Sequence, residues 1–299
     1  MGAWICIAGP DAHAAPKYGY GITPAPSGAP SQVIDSPSPV SASSNYSAAV
    51  SGGTITTSAS VAASSGQVGG GSHATLNLPE YSFGASGHGQ TQSYFSMDNI
   101  VISGPPGETV TYSVNTSISG GIGAAASGSG AMYAAASVTV KYSTGSSLGG
   151  IGNADGGSMS VDHAGGVTRT GAFAGFPVNS DGNSPWTTPT WQARAGDTIS
   201  VGIILETSAV VDHRFGGSGF MDAFSDFSNT VMFSTTGPVF NLPLGWTVNS
   251  TDGTIVNNTF VPEPSALTMT LAAAGAWLLH RRRHDRRIIL QSPAHPSAR

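Results

Sequence analysis

Apolar residues in this chain recur at every second position, and that period limits what it can fold into. In Thr109–Ile118 (TVTYSVNTSI), Val110, Tyr112, Val114 and Thr116 fall on one side of an extended segment. Thr198–Glu206 (TISVGIILE) does the same with Ile199, Val201, Ile203 and Leu205, and Ser137–Tyr142 brings Val138 and Val140 together. Side chains along a strand alternate between its faces, so each segment has one face to bury and one to leave in water. Thr230–Phe233 and Thr247–Phe260 continue the pattern, between clusters of Gly, Pro, Asn and Asp. Nothing before Val261 carries the roughly 3.6-residue period of an amphipathic helix. The expected fold is all-β: an antiparallel β-sandwich or jelly-roll-like ectodomain over residues 46–260.

Local signals refine that expectation. Asp252-Gly253 predicts a hairpin within Trp246–Phe260, because Asp-Gly tolerates the positive φ of a tight turn. Pro105-Pro106-Gly107 predicts a turn before the strand that starts at Thr109. Gly120–Ala136 (GGIGAAASGSGAMYAAA) fits a small-residue strand pair, a loop, or a short helix at its alanine-rich end. Residues 15–45 are rich in Pro, Ser and Ala without a period, and read as an extended, mobile leader.

Composition excludes several functions. Only 9% of residues are charged, and between Ala15 and Phe260 five basic residues (Lys17, Lys141, Arg169, Arg194, Arg214) face thirteen acidic ones. That is a net charge of −8, against −5 for the whole chain, and it excludes nucleic acid as a partner. Met1–Ala14 reads as the distal part of a secretory signal peptide, with Ala12-His13-Ala14 as a small-x-small cleavage pattern. Cys6, the single cysteine, lies in it, so the processed chain has neither a disulfide nor a thiol nucleophile.

Candidate chemistry is sparse. Asp162-His163 and Asp212-His213 sit in similar contexts (VDHAGG, VDHRFGG), a weak internal echo. Adjacent strand residues point to opposite faces, so neither pair is a catalytic dyad by itself. His73 and His88 stand alone. Gly145–Gly149 (GSSLG) has the form of a nucleophile elbow but lacks the helix that should follow. Asn153–Gly156 and Asn179–Asn183 offer oxygen ligands for calcium and equally fit ordinary turns. Trp186, Trp191 and Trp246 could stack on sugars or fill the core of a chain poor in large apolar residues. Catalytic residues and a cofactor are not expected. The alternative class, a secreted carbohydrate-active enzyme or carbohydrate-binding module, would in its enzymatic form need paired carboxylates from candidates such as Glu80, Glu108 and Glu206.

The C-terminal region has a different character. Val261-Pro262-Glu263-Pro264-Ser265 precedes Ala266–Leu279 (ALTMTLAAAGAWLL), fourteen residues without a charge. Arg281, Arg282, Arg283, Arg286 and Arg287 follow. As a helix the apolar stretch, with Ala266, Leu267, Leu271, Trp277, Leu278 and Leu279, is roughly 21 Å long, short for a bilayer span of about 20 residues. Arginines so placed stay on the cytoplasmic side, with the preceding chain outside. The prolines bias Val261–Pro264 to an extended form of the kind that proteases bind.

Together these features resemble the PEP-CTERM sorting signal of Gram-negative bacterial surface proteins. Pro262, Glu263 and Pro264 match its name-giving tripeptide, Ala266–Leu279 its hydrophobic segment, and Arg281–Arg283 its basic stop. The resemblance spans residues 261–287, and residues 288–299 form a tail longer than such signals carry. It implies recognition by an exosortase, a membrane-embedded cysteine protease, with the sorting helix holding the chain in the membrane until processing. It further implies delivery to the cell envelope or extracellular matrix and association with exopolysaccharide and biofilm. The expected protein is therefore a non-enzymatic, secreted surface protein.

Overall fold

The computed structural model describes residues 16–25, 31–50, 52–82, 84–146 and 150–261. Met1–Ala14, the Pro262–Pro264 motif, the apolar stretch and its arginines lie outside the described residues.

The described residues form eighteen strands. The first seven are β1 (Lys17–Ala25), β2 (Ser31–Ser36), β3 (Val40–Val50), β4 (Gly53–Ser64), β5 (Gln67–Ser82), β6 (Ala85–Ser103) and β7 (Thr109–Gly128). β8 (Ala131–Ser146), β9 (Gly150–Asp162), β10 (Val167–Arg169), β11 (Asn179–Thr187), β12 (Trp191–Arg194), β13 (Thr198–Phe215) and β14 (Gly217–Phe233) follow. Four short ones close the domain: β15 (Phe240–Asn241), β16 (Thr247–Ser250), β17 (Ile255–Val256) and β18 (Thr259–Phe260).

Two antiparallel sheets face each other. The first runs β10-β9-β8-β13-β6-β1-β2, with β16 also on β6, and the second runs β11-β7-β14-β5-β4-β3, with β12 and β15 on β7. The chain passes from sheet to sheet through β5, β6, β7 and β8, and again from β13 to β14. Neighbours within a sheet are therefore distant in sequence: Ile203 of β13 lies between Phe95 of β6 and Tyr142 of β8. The faces marked by alternation meet between the sheets, where Ile199, Val201, Ile203, Leu205, Val110, Val114, Val138 and Val140 are buried. The fold is an all-β, antiparallel, sandwich-like arrangement, and among the described residues it contains no α-helix.

Three local expectations are corrected and one is narrowed. Residues 17–25 and 40–50, placed wholly or partly in a mobile leader, are strands paired with β6 and β4, and Tyr18 and Ile22 are buried in the core. Of the three alternatives for Gly120–Ala136 the strand reading holds: it is the end of β7, the bend at Ser129-Gly130 and the start of β8, which join different sheets and do not pair with each other. Asp252-Gly253 does turn, with Gly253 at φ 80°, but the hairpin lies beyond it. There β17 pairs with β18 across Asn257 (φ 50°) and Asn258 (φ 62°), the two positive φ values that a tight two-residue hairpin needs. Asn153–Gly156 and Asn179–Asn183 lie within β9 and β11, each beside a register shift. Their residues serve bulges there, where Gly157 at φ 136° supplies the backbone freedom.

Candidate functional site

The outer face of the first sheet assembles the most chemistry. Alternation turns the odd positions of β8, the even positions of β13 and, as far as Asp98, the even positions of β6 outward. The centre of that face is neutral and hydroxyl-rich, with Ser137, Thr139, Ser143, Ser208 and Gln90. One ionic row crosses it: Lys141 Nζ donates to both Glu206 carboxylate oxygens at 3.0 Å, and Gln92 Nε2 donates to Glu206 Oε1 at 2.8 Å. His88 Nε2 lies 3.0 Å from Ser208 Oγ, and burial lowers its pKa, which favours the neutral imidazole.

A compact cluster closes one end of this face. Tyr133 on β8 is 44% exposed, and its register partner on β13 is Asp212. Arg214 Nε donates to Asp212 Oδ2 at 2.6 Å, leaving the rest of its exposed guanidinium free to donate. On the other side β9 ends in a turn in which Asp162 Oδ1 accepts from the backbone of Ala164 (3.0 Å) and Gly166 (2.9 Å). His163 in that turn donates its backbone N–H to Ala134 O at 2.9 Å. Its ring then stands edge-on to Tyr133, centroids 6.0 Å apart at 84°. The two Asp-His motifs thus flank β8, and their shared context reflects strands that end at the same level. The cluster offers an aromatic face for C–H groups, with a guanidinium and an imidazole beside it for hydroxyls.

The other flagged residues have structural partners. Tyr112 on β7 bonds Thr144 on β8 at 2.7 Å, and Tyr142 on β8 bonds Thr116 on β7 at 2.9 Å, so the two sheets exchange Tyr–Thr bonds. Trp186 stacks on Tyr142 (5.0 Å, 27°) and Trp191 packs on Tyr112 (6.0 Å, 40°). Trp246 lies against Gly104, where a Cβ would come within 2.3 Å of the indole. All three tryptophans are partly buried and pack against the core, whose margin they cover. His73 pairs with Asp222 at 2.6 Å on the outer face of the second sheet. His213 points inward from Asp212 and is buried, with neither ring nitrogen bonded to a protein group.

Of the enzyme candidates, Glu108 and Glu206 lie apart. Glu108 lies at the β6–β7 turn, where its carbonyl accepts from Ala195 just ahead of β13. Glu206 is eight residues into β13, about 26 Å along the strand at roughly 3.3 Å per residue, where a glycosidase pair stands about 5–10 Å apart. The side chain of Glu80 lies outside the description, as do Ser147 and the side chains of Asn153, Asp155, Asn179, Asp181 and Asn183. Gly145 and Ser146 pair with Ile151 and Gly150, so the GSSLG segment joins two antiparallel strands and does not lead into a helix. Among the described residues no group of three or more His, Cys, Asp or Glu side chains could hold a metal ion.

No family model matches the chain, and no curated protein or solved structure is significantly similar to it. Tyr133 and Arg214 are the residues that sequence reasoning passed over. Tyr133 was masked by the small residues around it, and the echo of the two Asp-His motifs was the one signal that pointed to their neighbourhood.

Proposed function

We propose that the chain is a non-enzymatic, secreted surface protein whose sandwich holds neutral polysaccharide on the outer face of its first sheet. One observation carries the reading: the exposed Tyr133 ring, flanked by His163 and the Asp212–Arg214 pair, ends a face lined with hydroxyl and amide groups. Sugars present C–H faces that stack on aromatic rings and hydroxyls that pair with such polar groups. The domain's net charge of −8 disfavours ion pairing with an anionic polymer. Contacts of this kind are individually weak, so retention at a surface depends on many copies acting together.

Delivery is proposed from the C-terminal motif. Cleavage by an exosortase near Pro264 would release the domain from the membrane to the envelope or extracellular matrix of a Gram-negative bacterium, among biofilm exopolysaccharide. Intact-mass analysis of protein recovered from the medium should show loss of the segment from about Ala266 onward. Recovery with Arg299 still present, in cells that process other such substrates, would remove the sorting reading.

A further inference from the structure

The second sheet ends at β3, which among the described residues pairs with β4 alone. Among the described residues no strand lies on its other edge, so the N–H and C=O groups directed there along Val40–Val50 have no ladder partner. Folded proteins usually protect such an edge with a charge, a proline, a bulge or a short strand. β3 has none of these: it runs for 11 residues (VSASSNYSAAV) without a charge or proline, and pairs with β4 without a register shift. The neutrality extends further, since no Asp, Glu, Lys or Arg occurs between Asp35 and Glu80. The net acidity of the domain lies elsewhere and does not oppose an approach along this margin.

The order of residues says which strand fits. β3 nearly mirrors itself about Asn45: Val40 matches Val50, Ala42 matches Ala48, and Ser43 matches Ser47. Ser41 falls against Ala49, and Ser44 against Tyr46. A two-fold axis through Asn45 lays two such strands antiparallel with every pair of this series face to face. On the inward face Val40, Ala42, Tyr46, Ala48 and Val50 pack on the core yet stay only partly buried. A second copy extends that row with the same residues and covers their open side.

We infer that β3 is a self-pairing edge, through which two copies of this chain join their second sheets across a two-fold axis at Asn45. The dimer carries each binding face twice, so it also strengthens weak surface retention. The pairing stands or falls independently of the polysaccharide reading, because it uses the opposite sheet.

The test is the mass of the full chain in solution at micromolar concentration, by sedimentation or light scattering, and a dimer is expected. Ser43→Lys with Ser47→Lys sets like charges opposite each other twice across the axis, and should give a folded monomer. Ser43→Lys with Ser47→Glu sets opposite charges at the same places and should keep the dimer. Association through the apolar C-terminal stretch would not respond to these exposed positions. A monomeric parent, or a dimer that the double-lysine variant leaves intact, overturns the proposal. Residues directly opposite in an antiparallel pair have Cα atoms about 4.5–5.5 Å apart, within disulfide reach. In a chain carrying Cys6→Ser, Asn45→Cys should therefore link two copies under mild oxidation, and Ala49→Cys, which falls opposite Ser41, should not. Linkage by the second and not the first overturns the two-fold register.

Discussion

Tyr142 shows how single residues hold the two sheets together. Its ring is buried, its hydroxyl reaches Thr116 on the other sheet, and burial raises its pKa above the ordinary value, which keeps the phenol protonated. Tyr142→Phe removes that bond but keeps the ring against Trp186, so unfolding should cost about 1 kcal/mol less. Denaturant titration checks this, and a loss above about 3 kcal/mol would mean the hydroxyl has a larger role. His213 is the opposite case. Its buried ring has no protein partner, so His213→Leu removes a desolvated polar group and should leave stability unchanged or raise it by about 1 kcal/mol. A clear loss in the same titration would show that the imidazole is engaged after all.

At the scale of elements, one turn separates two effects. Asn257 and Asn258 both take positive φ, which glycine adopts without strain. Asn258 also clamps Phe240, accepting from its N–H at 2.8 Å and donating to its carbonyl at 2.7 Å. Asn257→Gly should therefore be neutral or stabilising by a few tenths of a kcal/mol, whereas Asn258→Gly should cost about 1–2 kcal/mol. Thermal midpoints of the two variants check the contrast, and equal shifts would contradict it. The long strands β7, β8 and β13 were legible because Val, Ile and Tyr alternate with polar residues. β1 and β3 were not: β3 does put Val40, Ala42, Tyr46, Ala48 and Val50 on its inward face, but much of its alternation is Ala against Ser, a small contrast, and it follows a stretch rich in Pro, Ser and Ala. Bulges at Asn-, Asp- and Gly-rich positions were read as turns because the same backbone freedom serves both. The Tyr133 cluster draws on three strands whose adjacency depends on which sheet each long strand joins, and no local pattern reports that.

For the whole molecule, acid acts in two steps. Burial holds His88 below its ordinary pKa of 6.5, so the folded state binds that proton less readily than the unfolded chain. The stability it lends is present above pH 6.5 and declines as pH falls through the folded value. For Asp252 burial works to raise the pKa, but hydrogen bonds from Ser250, Thr254 and Asn99 outweigh it and the pKa falls below 3.8. Its contribution is present above pH 3.8 and lost as the carboxylate protonates. The thermal midpoint should drop between about pH 7 and pH 5, and His88→Gln should flatten that step. A parent midpoint that stays constant over this range would contradict the burial of His88. The most direct measurement of the central claim is retention of the chain on the host's own exopolysaccharide, compared between the parent and Tyr133→Ala. Retention should survive a rise from low to about 0.5 M salt, because stacking and neutral hydrogen bonds are not screened as ion pairs are. Tyr133→Ala should abolish most of it without shifting the thermal midpoint. Absence of retention by the parent, or full retention by Tyr133→Ala, would contradict the account.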